Sequence, residues 1–413
     1  MSARCTSSCR CGCDALAAVT DMRPEGAASA FPAPRLAVTR LMLTNFRSYA
    51  SGALAVSGRP VVLAGPNGAG KTNILDAISL LSPGRGLRGA TLSEHTRKGP
   101  AVPGEALWAV AATVAQREQA YEIGTGLTLG PNGGASRQMR LNNAPAQSAA
   151  DLAEVVQMAW LTPAMDRLFI EGASERRRFL DRLVFGFEPG HARIATRYET
   201  AMRERARLLK FGPRDPAWLD GLEAEMTETG IALSASRAQT VERLNRALTT
   251  RGEAGAFPCA QLALAGEADA IVAGHTDAPA AMREHFLRAR VRDAEAGRTT
   301  FGPHRCDLSV RHTIKRADAT ECSTGEQKAL LISIVLAHAW ELSHIREGCA
   351  PILLLDEIAA HLDAKRRSAL FEEILALGAQ AWMTGTDIEM FAPLTGQADL
   401  FAVADSRPTL ISE

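Results

Sequence analysis

The sequence predicts an α/β fold: a head of buried strands and flanking helices, joined to a mainly helical second lobe without a long coiled coil. Three observations predict it. Residues 65–72 read Gly-Pro-Asn-Gly-Ala-Gly-Lys-Thr and match the phosphate-loop pattern G-x-x-x-x-G-K-[ST] in full. Ile352-Leu353-Leu354-Leu355 is an all-aliphatic run that ends in Asp356-Glu357, as a buried parallel strand would. Residues 174–251 are rich in Arg, Glu, Ala and Leu with few breakers apart from Phe211-Gly212-Pro213, which predicts two or three long helices.

Taken in order, residues 1–35 read as a disordered tail. Cys5, Cys9, Cys11 and Cys13 crowd it, but their spacing lacks the paired C-x-x-C form of a zinc site. It has no sustained apolar segment of the signal-peptide kind, and the Ala/Pro/Gly/Ser-rich stretch at 24–34 reads as a linker. A strand over 36–46 and another over 54–56 precede Val61-Val62-Leu63-Ala64, a short buried strand that feeds the glycine-rich loop. After the loop, Ile74, Leu75, Ile78 and Leu81 recur at helical spacing. Residues 108–114 and 121–127 predict antiparallel strands, with Pro131-Asn132-Gly133-Gly134 as a turn and Arg140–Asn143 on the far side of a hairpin. Helical character continues over 284–296, after which α/β character returns. Ser323 and Glu326 form a capping-box pattern ahead of an apolar helix. A helix over 371–377 and strands at 381–383 and 401–403 complete the chain. The expected division is head over 36–165 and 300–413, and helical lobe over 166–299.

Bulk properties exclude some function classes. The chain has 413 residues, with Lys+Arg and Asp+Glu equal at 46 each, so any nucleic-acid binding must come from a local basic patch. No apolar run reaches the length of a membrane span. Cys259, Cys306, Cys322 and Cys349 are scattered, as reduced cytosolic thiols are.

The chemistry follows from motif and context. A strand, a glycine turn and a helix N-terminus make an anion cradle, because backbone N–H groups point inward and the helix dipole favours negative charge. Gly65, Pro66, Asn67, Gly68, Ala69 and Gly70 form the cradle, Lys71 reaches the β/γ-phosphates, and Thr72 offers a hydroxyl to Mg²⁺. Asp356 and Glu357 lie at a strand's C-terminal end, the ligand edge of an α/β sheet. Asp356 is the expected Mg²⁺ carboxylate and Glu357 the general base that polarises the attacking water. A strand ending in acids at its solvent edge would look alike in isolation; the phosphate loop in the same chain favours the catalytic reading. Gly84-Arg85-Gly86-Leu87-Arg88-Gly89 fits G-x-G-x-x-G but follows a helix, so the dinucleotide reading fails; the stretch reads as a basic loop contacting the phosphate of nucleotide or DNA, or equally as a flexible connector.

Ser323-Thr324-Gly325-Glu326-Gln327-Lys328, followed by Asp356-Glu357 and His361-Leu362-Asp363, resembles the signature, acid pair and D-loop of ABC-type ATPases. The resemblance implies an ABC-type P-loop ATPase head (lobe I) in which Ser323, Gly325 and Asp363 complete the ATP site of a second subunit. The usual switch residue has no counterpart, leaving Thr384 or Thr386 for that place, and Gln157 is the one candidate for the glutamine loop.

Further stretches narrow the resemblance. Leu43 to Tyr49, Asn73 to Ile78, Gly84 to Arg88, Gly172 to Asp181 and Thr300-Phe301-Gly302-Pro303-His304-Arg305 resemble the RecF family of bacterial recombination mediators. Cys306 departs from that family's pattern, which has an acid there. The resemblance implies a cytoplasmic protein with slow, DNA-stimulated ATP hydrolysis. It also implies an ATP-dependent homodimer on duplex or gapped DNA, and partnership with RecR and through it RecO in loading RecA. From the residues themselves, Arg85 and Arg88, and the i, i+4, i+7 stripe of Arg203, Arg207 and Lys210, are the candidate DNA contacts. Arg176–Arg178, Arg283, Arg290, Arg292 and Arg298 extend the basic character. The alternatives are an ABC-like ATPase of a defence system, which needs an appended nuclease segment, or of a transporter, which needs a glutamine loop and a switch histidine. A small-metabolite phosphate-loop kinase would leave the Ser323 signature unexplained.

Overall fold

The computed structural model describes residues 34–98, 107–129, 134–146, 149–212, 215–252 and 256–412. The cysteine-rich tail and the turn at 131–133 lie outside them. The first strands are β1 (Leu36–Phe46), β2 (Tyr49–Ala55) and β3 (Val61–Ala64), followed by α1 (Lys71–Ser79). Next come β4 (Trp108–Gln116), β5 (Gln119–Leu129), β6 (Ala135–Leu141), β7 (Ala144–Pro145), α2 (Ala149–Val155) and β8 (Met158–Leu161). Helices α3 (Ala173–Phe187), α4 (His191–Phe211) and α5 (Pro216–Gly252) lead to β9 (Ala260–Ala265), α6 (Glu267–Gly274) and α7 (Ala278–Ala296). The chain then forms β10 (Asp307–His312), β11 (Ala317–Asp318), α8 (Thr324–Ile345), β12 (Ile352–Leu355) and α9 (Ala364–Leu377). It ends with β13 (Ala381–Gly385), β14 (Asp399–Ala404) and β15 (Arg407–Ser412).

The central sheet has the order β15-β14-β3-β13-β12-β8, parallel throughout except for the antiparallel edge strand β15. Its inner strands are buried on both faces, which is why they read as unbroken apolar runs. The pleat sends alternate residues to opposite sides. Val62, Leu161, Leu353, Leu355 and Met383 join a core beneath α8 and α9. Val61, Leu63, Trp160, Leu354 and Trp382 join a second core with α1 and the antiparallel sheet β2-β1-β4-β5-β6-β7. The buried Gln380 ties the two sheets together: its amide donates to Val38 O at 2.9 Å, and its carbonyl accepts from Val38 N at 2.8 Å and Trp382 Nε1 at 3.0 Å.

α8 is long and apolar enough, by length and composition, to cross a membrane, against the expectation of no such run. Two-thirds of that window, 67%, is buried inside the protein, and its Leu330, Ile334 and Val335 belong to the core under the central sheet. It is the head's core helix.

Three helices do span the Arg/Glu/Ala/Leu-rich segment, with α4 and α5 packed on one another. Apolar periodicity missed β9, which pairs antiparallel with β10 to make a three-stranded sheet with β11. That pairing crosses the boundary drawn at residue 299. The helical core of Tyr198, Met226, Leu233, Met282 and Phe286 surrounds a fully buried Arg205. Its guanidinium donates to Glu223 at 2.8 Å, Asp293 at 2.7 Å and Phe286 O at 2.9 Å, so the buried charge is paired and hydrogen-bonded.

Candidate functional site

The phosphate loop links the C-terminal end of β3 to the N-terminus of α1, so the helix's unpaired N–H groups face the loop. Gly65 is obligatory by close approach: a Cβ there would lie 2.2 Å from Val403 O. Pro66, Asn67 and Gly68 line the open side of the loop, whereas Ala69, Gly70 and Lys71 are buried. Lys71 Nζ folds into the cradle and donates to Gly65 O at 2.6 Å and Pro66 O at 2.9 Å. Burial pulls its ammonium below the ordinary value, against the attraction of Glu357 and Asp356.

The strand register brings the acids to the loop. β12 lies two strands from β3, with β13 between them, so its C-terminal end opens on the same edge. Asp356 Oδ1 accepts from Thr72 Oγ1 at 2.9 Å and from Thr384 Oγ1 at 2.8 Å. Thr384 Oγ1 in turn accepts from Glu357 N at 2.8 Å. Glu357 is left-handed, with φ 51°, a conformation that costs a non-glycine residue energy and is held by its surroundings. Thr384 is wholly buried within β13, whereas Thr386 is exposed beyond it. Of the two threonines expected at the switch position, the structure therefore puts Thr384 on the acids.

Gln157 is corrected. It precedes β8, at the end of the sheet opposite the acids, and its amide donates to Ala153 O at 3.1 Å. It is buried away from the phosphate loop and cannot serve as a glutamine loop there.

Other elements brace the cradle in ways the motif alone did not announce. Tyr49 OH donates to Gly70 O at 3.2 Å. Ser406, in the β14–β15 turn, donates its N–H to Ala69 O at 2.9 Å and its hydroxyl to Ser48 Oγ at 2.6 Å. Asn73 Nδ2 reaches the same Ser48 Oγ at 2.8 Å. Tyr49 was visible as part of the Asn-Phe-Arg-Ser-Tyr run; Ser406 carried no sequence signal.

The signature opens α8 with its capping box formed: Ser323 N donates to Glu326 Oε2 at 3.1 Å. An ion pair with Lys315, then the Ser323 bonds, pull the Glu326 carboxyl down to about 2. Ser323, Thr324 and Gly325 are exposed, and neither Ser323 nor Gly325 bonds the phosphate loop of its own chain. Asp363 caps α9 by accepting from Arg366 N at 2.8 Å and is otherwise solvent-facing. The side chain of His361 lies outside the described residues.

The basic residues separate into two groups. Arg85, Arg88, Arg203, Arg207 and Lys210 lie at the surface; Arg203 pairs with Glu199 one turn away, and Lys210 lies over the Phe211 ring. Arg176 and Arg290 are corrected. Arg176 grips Asp307 bidentately at 2.7 and 2.8 Å. Arg290 pairs with Glu223 at 2.7 Å and with Asp220. Both are internal braces, as is Arg177, which donates to Cys306 O at 2.6 Å. Cys306 itself is buried, and that burial pushes its thiol up to about 12.

Among the described residues no group of three or more His, Cys, Asp or Glu side chains is arranged to hold a metal. The Thr72 hydroxyl and Asp356 carboxylate, already in contact, are the hard oxygen donors that suit Mg²⁺.

Residues 37–406 match the family model described as RecF/RecN/SMC N terminal domain. A DNA replication and repair protein RecF from Agrobacterium fabrum is 49% identical over 375 residues, covering 90% of this chain and 97% of the relative. One from Mesorhizobium japonicum is 49% identical over 371 residues, covering 89% and 96%. A solved recombination mediator protein, RecF-ATP in the RecFOR pathway, superposes with a TM-score of 0.77 at 20% identity, covering 94% of this chain and all of that one. An Smc head domain from Pyrococcus furiosus gives 0.50 at 17% identity, covering 92% and 96%.

Proposed function

The chain belongs to the RecF family of ABC-type ATPases, and from that premise we propose that it is an ATP-gated DNA clamp of recombinational repair. It is an ATP-binding recombination mediator of the α/β ABC-head class. The proposal adds a composite site: the cradle of one copy is closed over ATP by Ser323, Gly325 and Asp363 of a second.

The observation that carries the proposal is the continuous hydrogen-bonded path Thr72–Asp356–Thr384–Glu357 beside Lys71, together with a solvent-facing signature. In the proposed reaction Lys71 leaves the Gly65 and Pro66 carbonyls and binds the β/γ-phosphates. Thr72 and Asp356 would hold Mg²⁺, which when bound neutralises charge on the phosphate oxygens. Glu357 accepts the proton of the attacking water. Thr384 fixes the Asp356 carboxylate and the Glu357 backbone at once, so both acids keep their geometry as phosphate enters. The Ser323 hydroxyl and the N-terminus of α8 offer the γ-phosphate donors from across the dimer.

DNA, duplex or gapped, is proposed to meet the Arg203, Arg207 and Lys210 stripe and the Arg85/Arg88 loop. By relatives' context we further propose a cytoplasmic site of action, a RecR partner, RecO acting through it, and RecA loading as the outcome. The test is ATP turnover with no DNA, with single-stranded DNA and with gapped duplex. Slow turnover raised by gapped duplex is expected; no stimulation by any DNA would refute the clamp.

A further inference from the structure

Apart from the phosphate loop, the molecule has a cavity with the features of a ligand site, at the other end of the sheet from that loop. Its volume is about 280 Å³, near the lower limit for small-molecule sites. One wall is the loop at residues 82–86, which follows the C-terminal end of α1; the phosphate loop sits at that helix's N-terminus, roughly 13 Å away along its axis. The opposite wall is α3 and the start of α4, and the floor is Gln157 and Trp160 around β8.

Arg182 is the reason to expect a ligand. Its guanidinium lies over the Trp160 ring, 4.6 Å from the centroid, and over Phe179 at 5.5 Å. Among the described residues it has no carboxylate partner; its one hydrogen bond runs from Nη2 to Met165 Sδ at 3.6 Å. Three other enclosed arginines of the helical lobe have an acid: Arg176 has Asp307, Arg205 has Glu223 and Asp293, and Arg237 has Asp181; Arg177 has the Cys306 carbonyl at 2.6 Å instead. A guanidinium stays charged at any working pH, and enclosing one without a counter-charge is unfavourable unless something else supplies it. Its planar fork matches carboxylate and phosphate bidentately.

The rest of the wall points the same way. Arg85 lies on the 82–86 loop, exposed and without an acid partner among the described residues. Phe185 and Trp160 supply aromatic surface. The acid of the wall, Asp181, is already engaged by Arg237 at 2.7 Å and His191 at 3.1 Å. Two buried polar atoms of wall residues, Gln157 Oε1 and His191 Nδ1, have no hydrogen-bond partner among the described residues. His191 Nε2 faces the Asp181 carboxylate at 3.1 Å, which leaves Nδ1 as the ring atom still to be bonded, and Gln157 Oε1 is an acceptor. An occupant with polar edges would satisfy both.

We propose that this cavity binds a small planar anion up to the size of a nucleoside monophosphate, with its phosphate on Arg182 and Arg85 and its ring against Trp160 and Phe185. A free mononucleotide and the 5′-phosphorylated end of a nucleic-acid strand share this chemistry.

AMP is the probe, because it lacks the β- and γ-phosphates that Lys71 would bind. Calorimetric titration of the full-length Lys71→Ala protein should give one AMP, or one 5′-phosphorylated trinucleotide, per chain, with a change in Trp160 fluorescence. Arg182→Gln in that background should weaken AMP binding at least about tenfold, and so should Arg85→Ala, which removes no internal contact of the fold and, read with AMP, is independent of the DNA contact proposed for that loop; it decides the matter if Arg182→Gln fails to fold. AMP binding alone identifies a free nucleotide; a preference for the phosphorylated trinucleotide over its unphosphorylated twin identifies a strand end. Absence of binding by both probes, or binding that neither substitution weakens, would overturn the proposal. Because Lys71→Ala disables only the phosphate loop, this result is separable from the fate of the ATPase reading.

Discussion

Thr384 Oγ1 donates to Asp356 Oδ1 at 2.8 Å and, in the same geometry, accepts from the backbone N–H of Glu357 at 2.8 Å. One buried hydroxyl on β13 thereby sets both acids at the end of β12. Thr384→Val keeps the shape and removes both bonds. Turnover of ATP should fall about tenfold to a hundredfold, with the thermal midpoint little changed and Thr384→Ser restoring most activity. An unchanged rate in Thr384→Val would remove the positioning role.

The two groups of basic residues predict opposite phenotypes. Alanine at Arg203, Arg207 or Lys210 should leave folding intact and reduce the salt slope of DNA affinity by about 1 for each phosphate no longer neutralised. Alanine at Arg290 should lower the thermal midpoint, because it strips a partner from Glu223. Filter binding over a salt series, beside a melting curve for each variant, separates the two effects.

Arg205 predicts a fold defect without a direct catalytic one. Arg205→Ala leaves Asp293 buried without a cation and Glu223 with Arg290 alone, which should cost roughly 3–5 kcal/mol. Denaturant unfolding of the helical lobe measures it; a cost below about 1 kcal/mol, on the order of a surface pair, would contradict the buried network.

Acid stability should depend on His338. It is buried, with Nε2 facing Leu183 O at 2.9 Å, and burial pulls its pKa down to about 4. The unfolded chain therefore binds the proton first. Its contribution is present above the unfolded value near 6.5 and declines as pH falls toward 4, at a slope of about 1.4 kcal/mol per pH unit. Melting curves from pH 7 to about 4.5 should drop less steeply for His338→Gln than for the unsubstituted protein.

Much of the head was legible because its signals are local. The glycine loop between β3 and α1, the capping box of Ser323 with Glu326, and the apolar β12 ending in Asp356 each declare themselves within a few residues. What was not legible depends on partners far along the chain. Arg176 looked like a surface cation because Asp307, which neutralises it, lies 131 residues away. Arg290 similarly finds Glu223 on a neighbouring helix. β9 was hidden inside a helical composition because its strand state comes from pairing with β10. Ser406 braces the phosphate loop through its backbone N–H, which no side-chain pattern reveals.

The central claim is that two copies of the chain complete each other's ATP site. Glu357→Gln removes the general base while keeping the hydrogen-bonded path through Thr384, so it should hold ATP without turning it over. Sedimentation velocity of that variant with and without ATP and Mg²⁺ tests the claim most directly. A shift from monomer to dimer on adding ATP, abolished by a further Ser323→Arg substitution, is predicted. A Glu357→Gln protein that remains monomeric at saturating ATP would contradict it.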